Sequence, residues 1–168
     1  MVVILTGVSG SGKTTVGRRL ADALGWEFVD GDDFHPDANV EKMRRGKPLT
    51  DADRWPWLRS IRAFIEERLT AEEPAVVACS ALKKTHRNAL LDGNDGAQIV
   101  YLRGAYELIR ERMEARTNHF FDADLLDSQF EALEEPGPET NLIVDVDAPP
   151  EDIVRTIRRE LPGLGASQ

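Results

Sequence analysis

Gly7-Val8-Ser9-Gly10-Ser11-Gly12-Lys13-Thr14 is the stretch on which the fold turns. It matches the G-x-x-x-x-G-K-[ST] phosphate loop at every fixed position. Glycines let the backbone curl so that successive N–H groups converge on phosphate oxygens. A helix that begins at Lys13 turns its positive dipole end to the same point. Lys13 is expected at the β- and γ-phosphates and Thr14 at a Mg²⁺ ion, with Gly7, Ser9, Gly10, Ser11, Gly12 and Thr15 completing the nucleotide-binding set. The competing reading is a glycine-rich turn before a helix. At a glycine usage of about 7%, the fixed positions meet by chance in roughly one chain of this length in one or two hundred. The setting between a β-branched run and an amphipathic run decides for the phosphate loop.

Outward from the loop, apolar β-branched runs alternate with amphipathic ones. Val2 to Thr6 reads as a buried strand, and Val16, Leu20 and Leu24 mark one face of the helix from Lys13 to its stop at Gly25. Further strands are expected at Glu27 to Val29, Ala75 to Cys79, Gln98 to Leu102 and Leu142 to Val146. Helices are expected from Asp51 to Leu69, Lys83 to Leu91, Tyr106 to Arg116 and after Pro149-Pro150, with a loop and short helix between Asn118 and Pro136. This alternation predicts an α/β fold, a doubly wound five-stranded parallel sheet flanked by helices, with ligands at the carboxyl ends of the strands. The 168 residues suit one domain.

Bulk properties narrow the partners. The formal net charge of −9 argues against nucleic acid or an anionic membrane, yet leaves room for a local cationic site. One cysteine, Cys79, rules out an intramolecular disulfide framework and predicts a cytoplasmic, reducing setting. No run reaches the roughly 18 apolar residues of a bilayer span, and the first residues lack the basic start of a signal peptide. A guanine-reading Asn-Lys-x-Asp is absent, which favours a small-molecule kinase over a GTPase.

A second constellation, Asp30-Gly31-Asp32-Asp33-Phe34-His35-Pro36, follows the second strand. That strand is expected beside the one that feeds the phosphate loop, which would bring both carboxylates to the γ-phosphate side. Asp32 is the candidate to orient a substrate hydroxyl or accept its proton. Asp30 is the candidate outer-shell partner of Mg²⁺. The competing reading is an acidic surface turn, and His35 before proline reads equally as substrate contact or structural residue.

Gly31-Asp32-Asp33-Phe34-His35-Pro36, then Asn39-Val40-Glu41-Lys42-Met43 and Gly46-Lys47-Pro48-Leu49-Thr50-Asp51-Ala52-Asp53-Arg54-Trp55-Pro56-Trp57-Leu58, resemble the substrate segment of the gluconokinase family. Cys79-Ser80-Ala81-Leu82-Lys83 with Arg87, and His119-Phe120-Phe121 through Leu125-Leu126-Asp127-Ser128-Gln129-Phe130, are similar to that family too. Phe34, His86 and Asn88 depart from its pattern, standing where leucine, tyrosine and aspartate are expected. The resemblance implies transfer of the γ-phosphate of ATP to the 6-hydroxyl of D-gluconate, with Mg²⁺, in gluconate utilisation. It also implies a P-loop kinase fold like that of shikimate and nucleoside monophosphate kinases, a substrate segment at about 33–60, a mobile lid at about 117–128 and a homodimer. By position in that fold, Arg112 is the adenine-side residue and Arg116 the catalytic lid arginine, which would neutralise charge on the transferring phosphate.

A linear acid with many hydroxyls calls for cations and hydrogen-bonding groups. Arg54 is the candidate for the carboxylate, against an ion pair with Asp51 or Asp53. Lys42 reads as a helper or a solvated lysine. Ser80 is expected to face the cleft, and Lys83 and Arg87, four apart on one helix face, either bind the anion together or counter the acidic surface. His119 and Gln129 are candidate substrate or lid contacts, Trp55 and Trp57 candidate core of the substrate cap, and Cys79 a buried strand residue without a chemical role. Asp147-Ala148-Pro149 is the expected adenine loop by analogy of fold. Two rivals stay open: a kinase of another hydroxy acid, shikimate above all, and a non-catalytic nucleotide sensor.

Overall fold

A computed structural model of the chain describes residues 1–117 and 123–164. Five strands, β1 (Val2–Thr6), β2 (Glu27–Asp30), β3 (Ala75–Ala78), β4 (Ala97–Arg103) and β5 (Leu142–Asp145), form one sheet in the order β2-β3-β1-β4-β5. Every pairing is parallel. Helices α1 (Lys13–Leu24), α2 (Asp37–Arg44), α3 (Asp51–Thr70), α4 (Lys84–Leu91), α5 (Tyr106–Thr117), α6 (Ala123–Ala132) and α7 (Pro150–Glu160) connect and flank the strands.

The pleat divides the core. Val3 and Leu5 point to one face and pack with Val16, Leu20, Ile153 and Ile157 of α1 and α7. Val2 and Ile4 point to the other and pack with Leu58, Ile61 and Ile65 of α3 and Leu90 of α4. β1, β3 and β4 are therefore apolar on both faces, as a covered parallel sheet requires. Helix ends follow their chemistry. Gly25 closes α1 in the left-handed region at φ 70°. Thr50 and Asp53 form a reciprocal capping box that starts α3. Pro150 opens α7 from within its first turn.

The structure corrects one expectation. β2 does not lie beside β1; β3 stands between them. Asp32 reaches the phosphate loop by another route. After Asp30 the chain enters a short 3-10 turn, Gly31–Phe34, whose first hydrogen bond runs from the Asp32 N–H to Asp30 Oδ1 at 2.9 Å. Gly31 lies so close over the end of β3 that a Cβ there would stand 2.5 Å from the Ala78 carbonyl oxygen. Only glycine lets the turn fold back across β3 towards Lys13. Helix α2, absent from the expectation, fills part of the segment that follows.

Candidate active site

Two connected cavities of about 220 Å³ each open at the carboxyl ends of the strands. One runs along the phosphate loop, past Gly10, Gly12, Thr14, Thr15, Asp30 and Arg116. The other is walled by His35, Lys47, Arg54, Ser80, Ser128 and Gln129, among others. Ser9, Lys13 and Asp32 line both. A group passed from one cavity to the other must cross these three residues.

The loop is built by close approach. Gly10 sits at φ 81°, and a Cβ there would lie 2.6 Å from Met113 Cγ on α5. Ser11 turns its hydroxyl inward, where it is buried without a hydrogen-bond partner, so its side chain serves the loop's packing rather than its mouth. Lys13 Nζ donates to the Gly7 and Val8 carbonyls at 2.9 Å each. Burial lowers its pKa, with Asp32 opposing the shift. Across the junction, desolvation and then the charge of Asp30 raise the Asp32 pKa, against the pull of Lys13. Its side chain is 75% exposed. Thr14 Oγ1 points to Asp30 Oδ2 at 3.5 Å.

Arg54 lines the second cavity beside Lys13 and Lys47. Asp51, one of its two carboxylate neighbours, binds Lys83 at 3.0 Å. Asp53, the other, binds Lys42 at 2.6 Å and caps α3. The Arg54 guanidinium has no carboxylate within ion-pair distance among the described residues, and burial lowers its pKa. The expected alternative, a surface pair with Asp51 or Asp53, is not what forms.

His35 lines the same cavity yet is stacked flat on Trp57, with ring centroids 4.3 Å apart and planes 12° apart. Burial and the nearby Arg54 depress its pKa to about 4, so it is neutral at physiological pH. Trp57 is itself buried and donates from Nε1 to the Gly31 carbonyl at 2.7 Å. This stack ties α3 to the turn that carries Asp32. Trp55, by contrast, stays partly exposed and meets His86 edge-on. Cys79 is buried, and desolvation pushes its thiol up to about 12, which removes it from chemistry.

Three expected substrate ligands are not among the residues that line the two cavities. Lys42 and Lys83 are held by Asp53 and Asp51. Arg87 is buried, paired with Glu139 at 2.9 Å, and donates to the Ala81, Leu82 and Glu134 carbonyls. It points into the molecule because α4 begins at Lys84, which turns the Arg87 position against the 134–139 segment. Gln129 does reach the cleft, but its amide is engaged with Ser9. Arg112 donates to the Val146 carbonyl at 2.7 Å, beside the Asp147-Ala148-Pro149 loop. His119 and residues 118–122 of the expected lid lie outside the described residues, and 123–128 form the first part of α6. Lys47, Pro48 and Leu49 line the cavity without having been singled out as ligands. The Gly46-Lys47-Pro48 turn at the end of α2 was the available signal for them.

Comparison with known proteins adds to this geometry. Residues 2–136 match the family described as an AAA domain. The chain is 43% identical over 157 residues to the thermoresistant gluconokinase of Escherichia coli (strain K12), a match covering 91% of this chain and 89% of that one. It is 44% identical over 141 residues to the gluconokinase of Gluconobacter oxydans (strain 621H), covering 84% and 79%. Among solved structures, a gluconokinase from Sinorhizobium meliloti 1021 superposes with a TM-score of 0.85 at 45% identity, over 98% of this chain and 91% of that one. A shikimate kinase from Acinetobacter baumannii in complex with shikimate superposes with a TM-score of 0.60 at 20% identity, over 94% and 90%, a likeness of fold alone.

Proposed function

The chain belongs to the gluconokinase family, and on that premise we propose that it transfers the γ-phosphate of ATP to the 6-hydroxyl of D-gluconate, giving 6-phosphogluconate and ADP. The observation that carries the reading is the junction of Ser9, Lys13 and Asp32 between two cavities, one with a phosphate loop and one lined by Arg54, which forms no ion pair among the described residues. ATP lies along the loop, with its γ-phosphate at the junction. Arg54 takes the carboxylate end of the linear acid, which sets its far hydroxyl towards Asp32.

Asp32 accepts a hydrogen bond from the 6-hydroxyl and takes up its proton as the O–P bond forms. Its raised pKa strengthens it as a base. Phosphoryl transfer has a loose transition state, so orientation of the hydroxyl is as much its task as proton removal. Lys13 moves from the Gly7 and Val8 carbonyls to the transferring phosphate, and Arg116 adds positive charge from the other side. Ser80 and Lys47 offer hydrogen bonds to the polyol.

A divalent metal accompanies ATP in such kinases, and we assign Mg²⁺ here. The Thr14 hydroxyl and the Asp30 carboxylate, 3.5 Å apart, would hold it, and it would neutralise charge on the phosphates. Among the described residues no cluster of three His, Cys, Asp or Glu side chains suits a metal without the nucleotide. Among them, too, no helix is long and apolar enough to cross a membrane. Supply of ATP and the unpaired Cys79 favour the cytoplasm. A homodimer is proposed on the family resemblance.

A coupled assay of ADP release tests the substrate. D-gluconate should stimulate turnover strongly and only in the presence of Mg²⁺, with shikimate and glucose far weaker. Equal stimulation by uncharged glucose would sink the carboxylate grip. Turnover indifferent to every acid would revive the nucleotide sensor.

A further inference from the structure

Helix α6 presents Leu125, Ser128 and Gln129 to the substrate cavity, while Leu126 is buried in the core. The Gln129 amide does more than line a wall. Its Oε1 accepts from the Ser9 N–H at 2.6 Å, and its Nε2 donates to Ser9 Oγ at 2.6 Å. The two residues are 120 positions apart in sequence, one in the phosphate loop and one on the substrate side. Ser9 is moreover one of the three residues common to both cavities.

An amide that binds one residue through both its main-chain and side-chain groups fixes that residue in position and in orientation. Of the two Nε2 protons, one goes to Ser9 Oγ, which leaves a donor for a hydroxyl in the cleft. A ligand that orders Gln129 therefore orders Ser9. We propose that Gln129 is a positioning residue that couples occupancy of the substrate cavity to the phosphate loop, so that the sugar acid and the nucleotide strengthen each other's binding. The inference rests on gluconate being the ligand of that cavity. The physical basis is shared ordering: the second ligand meets a loop already held in place, and forfeits less conformational freedom on binding. Such coupling must be reciprocal.

Titration calorimetry on the full chain tests it. The dissociation constant of a non-hydrolysable ATP analogue with Mg²⁺ is measured with and without saturating D-gluconate, then the reverse. The wild type should bind the analogue about 5-fold tighter or more with gluconate present, and show the same factor for gluconate. In Gln129→Ala the factor should fall to near one. Ser9→Ala keeps the bond from the Ser9 N–H and should show an intermediate factor. Should Gln129→Ala fail to give a cooperative thermal transition, Ser9→Ala carries the test. A merely structural Gln129 would alter affinities or melting but leave the coupling factor intact, and that result overturns the proposal, as does a factor of one in the wild type. Absence of any gluconate binding by the wild type would instead overturn the substrate reading beneath it.

Discussion

Asp32 sits between two opposed neighbours, with Asp30 raising its proton affinity and Lys13 lowering it. Desolvation tips the balance upward, so the carboxylate ionises later than an ordinary aspartate. The maximal rate should fall as pH drops through that raised value, and Asp32→Asn should erase this acid limb. The same substitution should lower kcat by ~10² to 10⁴, the usual range for a general base, with ATP binding nearly unchanged. Asp33→Asn, one residue on, is the control and should do far less. Stability runs the other way. A carboxyl with a raised folded pKa contributes fully below the ordinary range and loses that contribution as pH rises through the folded value. Asp32→Asn should therefore melt no lower than wild type at neutral pH, and a pH–rate profile beside a melting curve reads both effects. Arg54 is tested by affinity. Hydrogen bonds to charged groups contribute about 1.5–3 kcal/mol, so Arg54→Ala should raise the gluconate KM by ~10- to 100-fold, at about 1.4 kcal/mol per decade. An unchanged gluconate KM, or an equal rise in the ATP KM, would take Arg54 out of the carboxylate grip.

Helix α3 holds the site together at the scale of elements. Its first turn carries Arg54, its Trp57 stacks on His35 beneath the substrate cavity, and Leu58, Ile61 and Ile65 fix it to the sheet. The capping box sets where it starts, since the Thr50 hydroxyl accepts from the Asp53 N–H at 3.1 Å. Thr50→Ala should cost about 1 kcal/mol of stability and raise the gluconate KM by loosening Arg54, measured by denaturant melts and kinetics together. Asp53, hydrogen-bonded to Lys42 and Thr50, is held down at about 2. The folded chain therefore keeps this carboxylate ionised where the unfolded chain protonates it, and the contribution is lost as pH falls from the ordinary carboxylate range towards 2. The apolar spacing of α3 was legible in the sequence, as were the phosphate loop, by its motif, and all five strands, whose short runs alternate with helical segments. Helix α2 was not, since it is short, mostly polar and held by a substrate segment whose packing is long-range. Nor was the order of β2 and β3, because alternation of strands and helices fixes parallel direction without fixing which strands are neighbours.

At the scale of the whole molecule, the two cationic positions Lys83 and Arg87 show how far sequence spacing carries a site. Four residues apart, they suggested one helix face and one shared anion. The fold separates them: Lys83 precedes α4 and reaches Asp51, while Arg87 lies within α4 and turns inward. Nothing in the local sequence names Glu139, 52 positions away, as the partner that decides this. Arg87 and Glu139 have side chains only 1% and 8% exposed, so the charges answer each other in the interior. The same guanidinium gathers carbonyls from residues 81, 82 and 134, and so ties the end of β3 and α4 to the segment that leads into β5. Removing one partner of a buried pair strands the other charge and typically costs about 3–5 kcal/mol. At about 2–4 °C per kcal/mol for a chain of this size, Arg87→Ala should melt lower by ~10 °C. Among molecules still folded at low temperature, gluconate and ATP KM values should be close to wild type. The double substitution Arg87→Met with Glu139→Gln removes both charges and keeps bulk, so it should recover part of the loss. Full recovery is not expected, because the three carbonyls lose their donor in either variant. A melting curve for Arg87→Ala that matches wild type, joined to a large rise in gluconate KM, would return Arg87 to the substrate site and undo this account of the interior.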